Sequence, residues 1–133
     1  MSDYDKISSE LHTFQGNIFK ELTLPVCSSV ESRVFRGGSS LSGAWIAAAA
    51  LNGFSLKPEE MLLFELYGSN SKKGPFYRYD VPAAVRGPKT FTAGEEILHY
   101  VPETETKRFL KLKISDNANL SHAVITVYLA GKA

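Results

Sequence analysis

The side chains of this chain that could do acid–base, nucleophilic or metal chemistry are three histidines, one cysteine and a scatter of carboxylates. His12, His99 and His122 lie far apart, and none falls in the H-E-x-x-H spacing that sets two imidazoles on one helix face for a metal. His99 occupies the Ile97/Val101 side of an alternating run, where a packed core or interface histidine is a simpler reading than a ligand or general base. Ser121 beside His122 has no catalytic meaning, because a triad is defined by spatial geometry. Glu95 and Glu96 are neighbours on an expected strand, so they point to opposite faces and cannot act as a dyad on one site. Glu103 and Glu105 read as solvated rim charges. Asp116-Asn117-Ala118-Asn119 lacks the glycine and distal glutamate of a calcium loop and reads as a surface turn. Asn119-Leu120-Ser121 matches a glycosylation triplet, but no secretion signal accompanies it. The nucleophile elbow G-x-S-x-G, the phosphate loop G-x-x-x-x-G-K-[ST] and the dinucleotide fingerprint G-x-G-x-x-G are all missing. Cys27 stands alone, which excludes an internal disulfide or a multi-cysteine zinc site, and it reads as a small packed thiol. The expectation is a protein that is not an enzyme, with no cofactor and no metal.

Aromatic residues are the more informative class. Trp45, Tyr67, Tyr77, Tyr79, Tyr100 and Tyr128, with Arg78 between two tyrosines, are of the types that enrich protein interfaces. Most of them also suit ordinary strand packing. An aromatic–arginine set can stack on sugars or single-stranded bases as well. A formal net charge of +1, from 15 basic and 14 acidic residues, argues against nucleic acid or an anionic membrane as the main partner.

The elements that must position these residues read as strands. Arg108–Ile114 and Ala123–Leu129 carry the clearest period-2 patterns, and the turn-prone Asp116, Asn117 and Asn119 between them predict an antiparallel pair. In the second run, Ala123, Ile125, Val127 and Leu129 form one face, and Val124, Thr126 and Tyr128 the other, so cover is expected on both sides. Leu22–Val26 reads as a short edge strand because of Pro25, and Val30–Arg36 as another strand. Ala44–Leu51 is ambiguous, since its alanines favour helix, yet Asn52-Gly53 after it is a hairpin signal; strand is the reading taken. Glu60–Tyr67, Phe76–Val81 and Glu95–Val101 are further strands, and Pro82–Pro88 reads as a loop. Residues 1–20 read as an arm with at most one helical turn, on Ile7, Leu11 and Phe14, that Ser8 or Ser9 could cap. Removing residues 1–18 is therefore expected to leave a folded domain.

The sum is about seven or eight short strands separated by Gly, Pro, Asn and Ser, the mark of an all-β sandwich or barrel. At 133 residues, 44% hydrophobic and 22% charged, the chain is long enough for one core without staples. The expected organisation is an N-terminal arm at 1–20 and a single antiparallel, jelly-roll-like β-sandwich domain at 21–133. No signal peptide or segment of transmembrane length is visible, so a soluble protein made in a cytoplasm is expected, with no membrane partner.

The order of features resembles a known family. L-Y-G-S-N-S (Leu66–Ser71) is followed by Gly74 and Phe76, then T-A-G-E-E-I (Thr92–Ile97) and Val101-Pro102. R-F-L-K-L-K-I (Arg108–Ile114) and a terminal A-V-I-T-V-Y-L-A (Ala123–Ala130) complete the set. Over Leu41–Ala130 this is similar to the Bbp16-type capsid cement, or decoration, proteins of tailed bacteriophages. The resemblance implies a β-sandwich that binds the assembled major capsid protein on the outer surface of the virion, as a homotrimer at threefold positions. It also gives the arm a role in reaching the shell or a neighbouring subunit. The interface candidates are then Phe14, Phe19, Trp45, Tyr77, Arg78, Tyr79 and Tyr128. The competing reading is a carbohydrate- or ligand-binding β-sandwich module, for which Trp45 and Tyr77 would be the platform.

Overall fold

Short runs of branched and aromatic residues favour extended backbone, and the Gly, Pro, Asn and Ser between them favour turns. The structure is a computed structural model and describes residues 13–24, 29–36, 44–78, 82–102, 107–117 and 123–131. Every regular element among these is a strand: β1 (Thr13–Leu24), β2 (Ser29–Glu31), β3 (Phe35–Arg36), β4 (Ala44–Ala50), β5 (Phe54–Leu56), β6 (Met61–Ser69), β7 (Tyr77–Arg78), β8 (Ala83–Arg86), β9 (Lys89–Phe91), β10 (Glu96–Tyr100), β11 (Phe109–Asp116) and β12 (Ala123–Gly131). All pairings are antiparallel. A four-stranded sheet runs β1-β12-β4-β10. A six-stranded sheet runs β2-β11-β6-β7, with β3 also on β11 and β8 also on β6. A small ribbon pairs β5 with β9.

The two large sheets pack as a sandwich. From the four-stranded sheet, Ile46, Ala48, Leu98, Ile125 and Val127 enter the shared core; from the six-stranded sheet, Leu62, Phe64, Leu66, Leu110, Leu112 and Ile114 do. Phe54 and Phe91, 5.2 Å between ring centres, extend the core under the β5–β9 ribbon. Burying such side chains stabilises by about 1.5–3 kcal/mol each before chain entropy is subtracted.

The all-β sandwich is as expected, and Ala44–Ala50 is a strand. Several local expectations are corrected. The strands β11 and β12 are not partners. β11 lies between β2/β3 and β6 in one sheet, and β12 between β1 and β4 in the other. Their matched apolar faces meet across the core rather than side by side in a sheet. Period-2 patterning fixes a strand's inward face, and it does not choose the neighbour.

Residues 13–20 are not an arm. They form most of β1, whose register runs along β12 from Thr13 opposite Gly131 to Leu24 opposite Ala123. Register shifts fall between Phe14/Gly16, Asn17/Phe19 and Phe19/Leu22. Each bulge resets which parity faces inward, so Ile18, Phe19, Leu22 and Leu24 all reach the core without alternating in sequence. The helical spacing of Ile7, Leu11 and Phe14 rests partly on residues outside those described. Ala83–Arg86, expected in a loop, pairs with β6 from Met61 opposite Arg86 to Phe64 opposite Ala83. Asn52-Gly53 does not close a hairpin either. Gly53 lacks the positive φ that such a turn demands, and β5 leaves for β9. The Asn52 side chain instead accepts a hydrogen bond from the Val124 amide at 2.9 Å, holding the β4 exit against β12.

The stretch Val30–Arg36 is interrupted rather than continuous. β2 pairs with β11 at Lys113–Ser115 and β3 at Phe109–Leu110, which leaves Leu112 facing the gap. Ser32 fills it. Its amide donates to the Leu112 carbonyl at 2.8 Å, and its hydroxyl accepts from the Leu112 amide at 2.9 Å. The hydroxyl takes the place that a strand carbonyl has in an unbroken ladder, so the chain can swing out over Arg33–Val34 and return at Phe35.

Candidate functional site

The two outer faces of the sandwich differ. On the four-stranded sheet, the outward row of β4 and β12 is Trp45, Ala47, Ala49, Tyr128 and Ala130, with cross-strand partners Tyr128–Ala47 and Ala130–Trp45. All five are buried within the single chain, as is Thr126, whose hydroxyl donates to the Phe19 carbonyl at 3.2 Å. The second cover that β12 requires is thus supplied by the chain itself. His99, on the outward side of β10, stacks on Trp45 with 4.7 Å between ring centres and 13° between planes, and lies 3.5 Å from the Glu96 carboxylate. Leu98 beside it points into the core. His99 is therefore a packing residue over the indole.

The outer face of the six-stranded sheet is a mixed aromatic and charged surface. Successive cross-strand rows are Arg36–Phe109–Ser69, then Lys111–Tyr67–Arg78, then Glu31–Lys113–Glu65. Two ion pairs tie the rows diagonally: Lys111 to Glu31 at 3.1 Å, and Arg78 to Glu65 at 3.0 Å. Lys111 also lies over the Phe76 ring, 4.7 Å from its centre. Such contacts are weak singly, and together they hold long side chains in fixed positions. At the sheet's edge, β7 presents Tyr77, which is 68% exposed, the most open large hydrophobic side chain among the described residues.

The seven interface candidates separate accordingly. Tyr77 and Arg78 are exposed on β7. Trp45 and Tyr128 are buried and offer a partner almost no side-chain surface. Phe19 packs against the core. Phe14 lies in β1 opposite Ala130, and Tyr79 falls outside the described residues. Tyr67, Phe76 and Phe109 share the outer face with Arg78, a grouping invisible in the linear sequence because the contributing strands are distant in the chain, whereas Tyr77, in register with Gly68, has the opposite parity at the sheet's edge. Alternation did place Phe109, Lys111 and Lys113 on one face, the only local signal available.

Among the described residues no group of three His, Cys, Asp or Glu side chains could hold a metal ion. His12, Cys27, Glu103, Glu105 and His122 lie outside them. No helix among them is long and apolar enough to cross a membrane. The fold and site define an antiparallel β-sandwich with one covered outer face and one cationic–aromatic outer face. Comparison with known protein families and with curated proteins finds no match.

Proposed function

We propose that the protein is a structural virion component, a capsid cement protein that binds the assembled major capsid protein shell from outside and stabilises it, as a trimer at threefold positions. The observation that carries the reading is the asymmetry of the outer faces. One face is sealed by the chain's own residues, while the other offers tyrosine, phenylalanine, arginine and lysine beside β7, an edge strand among the described residues. Those are the side chains from which protein interfaces are made, and an open edge can add a partner strand. A cement protein needs area and repetition rather than a reactive group, because a lattice multiplies each weak contact. The carbohydrate reading is less favoured: its platform pairs Tyr77 with Trp45, and Trp45 lies buried under His99.

The test is co-sedimentation with shells assembled from the major capsid protein of the same virus, alongside a solution mass measurement. Saturable binding, a trimer mass and a raised shell melting temperature are expected, with binding weakened in Tyr77→Ala. A monomer that leaves expanded shells unbound would refute the proposal.

A further inference from the structure

The end of the six-stranded sheet that carries β3 holds a cleft of about 310 Å³ lined by Arg33, Val34, Phe35, Arg36, Lys72 and Phe109. We propose that this cleft is a recognition site for an acidic peptide segment of a protein partner, taking its carboxylates between Arg33, Arg36 and Lys72. The three cations are exposed at the rim, and Phe35, Val34 and Phe109 form an apolar floor. No carboxylate is among the lining residues. Glu31 and Glu65, on the same sheet face, are engaged by Lys111 and Arg78. The positive charge at the cleft is therefore uncompensated among the described residues, although the whole chain is almost neutral at +1.

The two arginines are also held in place. Arg33 donates from Nη2 to the Asn17 carbonyl, which ties the swung-out segment to β1. The Arg36 guanidinium lies 5.8 Å from the centre of the Phe109 ring, and that of Arg108 lies 5.6 Å from it. An ordered guanidinium loses less freedom when it binds, and its planar fork matches a carboxylate. The same contacts favour peptide over nucleic acid. Readers of single strands offer an open aromatic face to a base, whereas Phe109 is already engaged by two guanidinium groups. A compact cleft with three cations also lacks the long basic track that a phosphate backbone follows.

This site is read from its own side chains and does not rest on shell binding, though an acidic segment of a shell protein would be a natural occupant. The test uses the full chain and fluorescence anisotropy with a short labelled peptide of alternating aspartate and glutamate. A lysine peptide and an oligothymidylate of matched charge are the comparisons. The acidic peptide is expected to bind, to weaken with added salt, and to lose about tenfold in affinity in Arg36→Gln/Lys72→Gln, whose melting temperature should match the parent's. Lys72→Glu alone, in the β6–β7 connection, should weaken it further than Lys72→Gln. Absence of peptide binding at low salt, equal binding by the double variant, or tighter binding of the oligothymidylate would each overturn the proposal. Because no shell is present in this assay, those outcomes are distinct from failure of the cement reading.

Discussion

Replacing Ser32 by alanine tests the idea that a hydroxyl completes the β11 ladder. Ser32 is buried, and Leu112 beside it is fully buried. The hydroxyl accepts from the Leu112 amide at 2.9 Å and donates to the Arg33 carbonyl at 2.7 Å. Alanine removes the acceptor and strands a buried N–H. A buried donor without a partner costs about 1–3 kcal/mol. The Arg33 carbonyl belongs to a half-open segment and can turn to solvent, so its loss adds at most about 0.5 kcal/mol. The expected total is about 2 kcal/mol. For a domain of this size that lowers the melting temperature by about 6–10 °C, and the urea midpoint by about 1 M. The assay is urea unfolding followed by tryptophan fluorescence, with amide exchange at Leu112 as the local readout. Ser32→Thr keeps a hydroxyl and should recover most of the loss. A Ser32→Ala protein within about 0.5 kcal/mol of the parent, with Leu112 exchange unchanged, would refute the reasoning.

A Cβ on Gly87 would sit 1.9 Å from the Lys57 carbonyl oxygen, so Gly87→Ala should cost about 3 kcal/mol by forcing the Lys57–Glu60 turn away, measured by urea unfolding. Ala48 is fully buried between Val127 and Leu98 on its two neighbour strands, so Ala48→Leu should cost about 1–3 kcal/mol, while an unchanged midpoint would deny close packing there. Deleting residues 1–18 removes the first half of the paired strand β1 and the buried Ile18, so a loss of at least about 2 kcal/mol is expected rather than an intact domain; a melting temperature equal to the parent's would restore the arm reading. Trp45 is the single tryptophan and is buried against His99, so its native emission should be blue-shifted and poorly quenched by acrylamide. A native spectrum as red as the unfolded one would contradict that burial.

The class of fold was legible because Phe109–Asp116 and Ala123–Gly131 alternate cleanly and turn residues punctuate the rest. Partnership was not, since the inward faces of β11 and β12 satisfy a sheet neighbour and an opposing sheet equally well. The twelve-residue β1 hid behind its bulges, which break the parity that sequence reading relies on. β8 hid because Ala83-Ala84-Val85-Arg86 is short, weakly apolar and flanked by prolines, and only the free edge of β6 makes it a strand. The cationic cleft was invisible for another reason. Its side chains come from segments around 33–36, 72 and 109, and their spacing carries no motif until β3, β6 and β11 are side by side.

The position of β12 between β1 and β4 has a consequence for synthesis. Thr126 is bonded to Phe19, a residue 107 positions earlier. While the ribosome is still making the chain, β1 and β4 have no common partner, and each exposes an unpaired edge with apolar residues. Sheet closure must await the emergence of β12, which makes folding slow and leaves nascent chains open to edge-to-edge aggregation. The same order acts as a quality filter. A product truncated before Ala123 cannot join the two halves of its four-stranded sheet, so incomplete chains should fall to proteolysis instead of entering an assembly as defective copies.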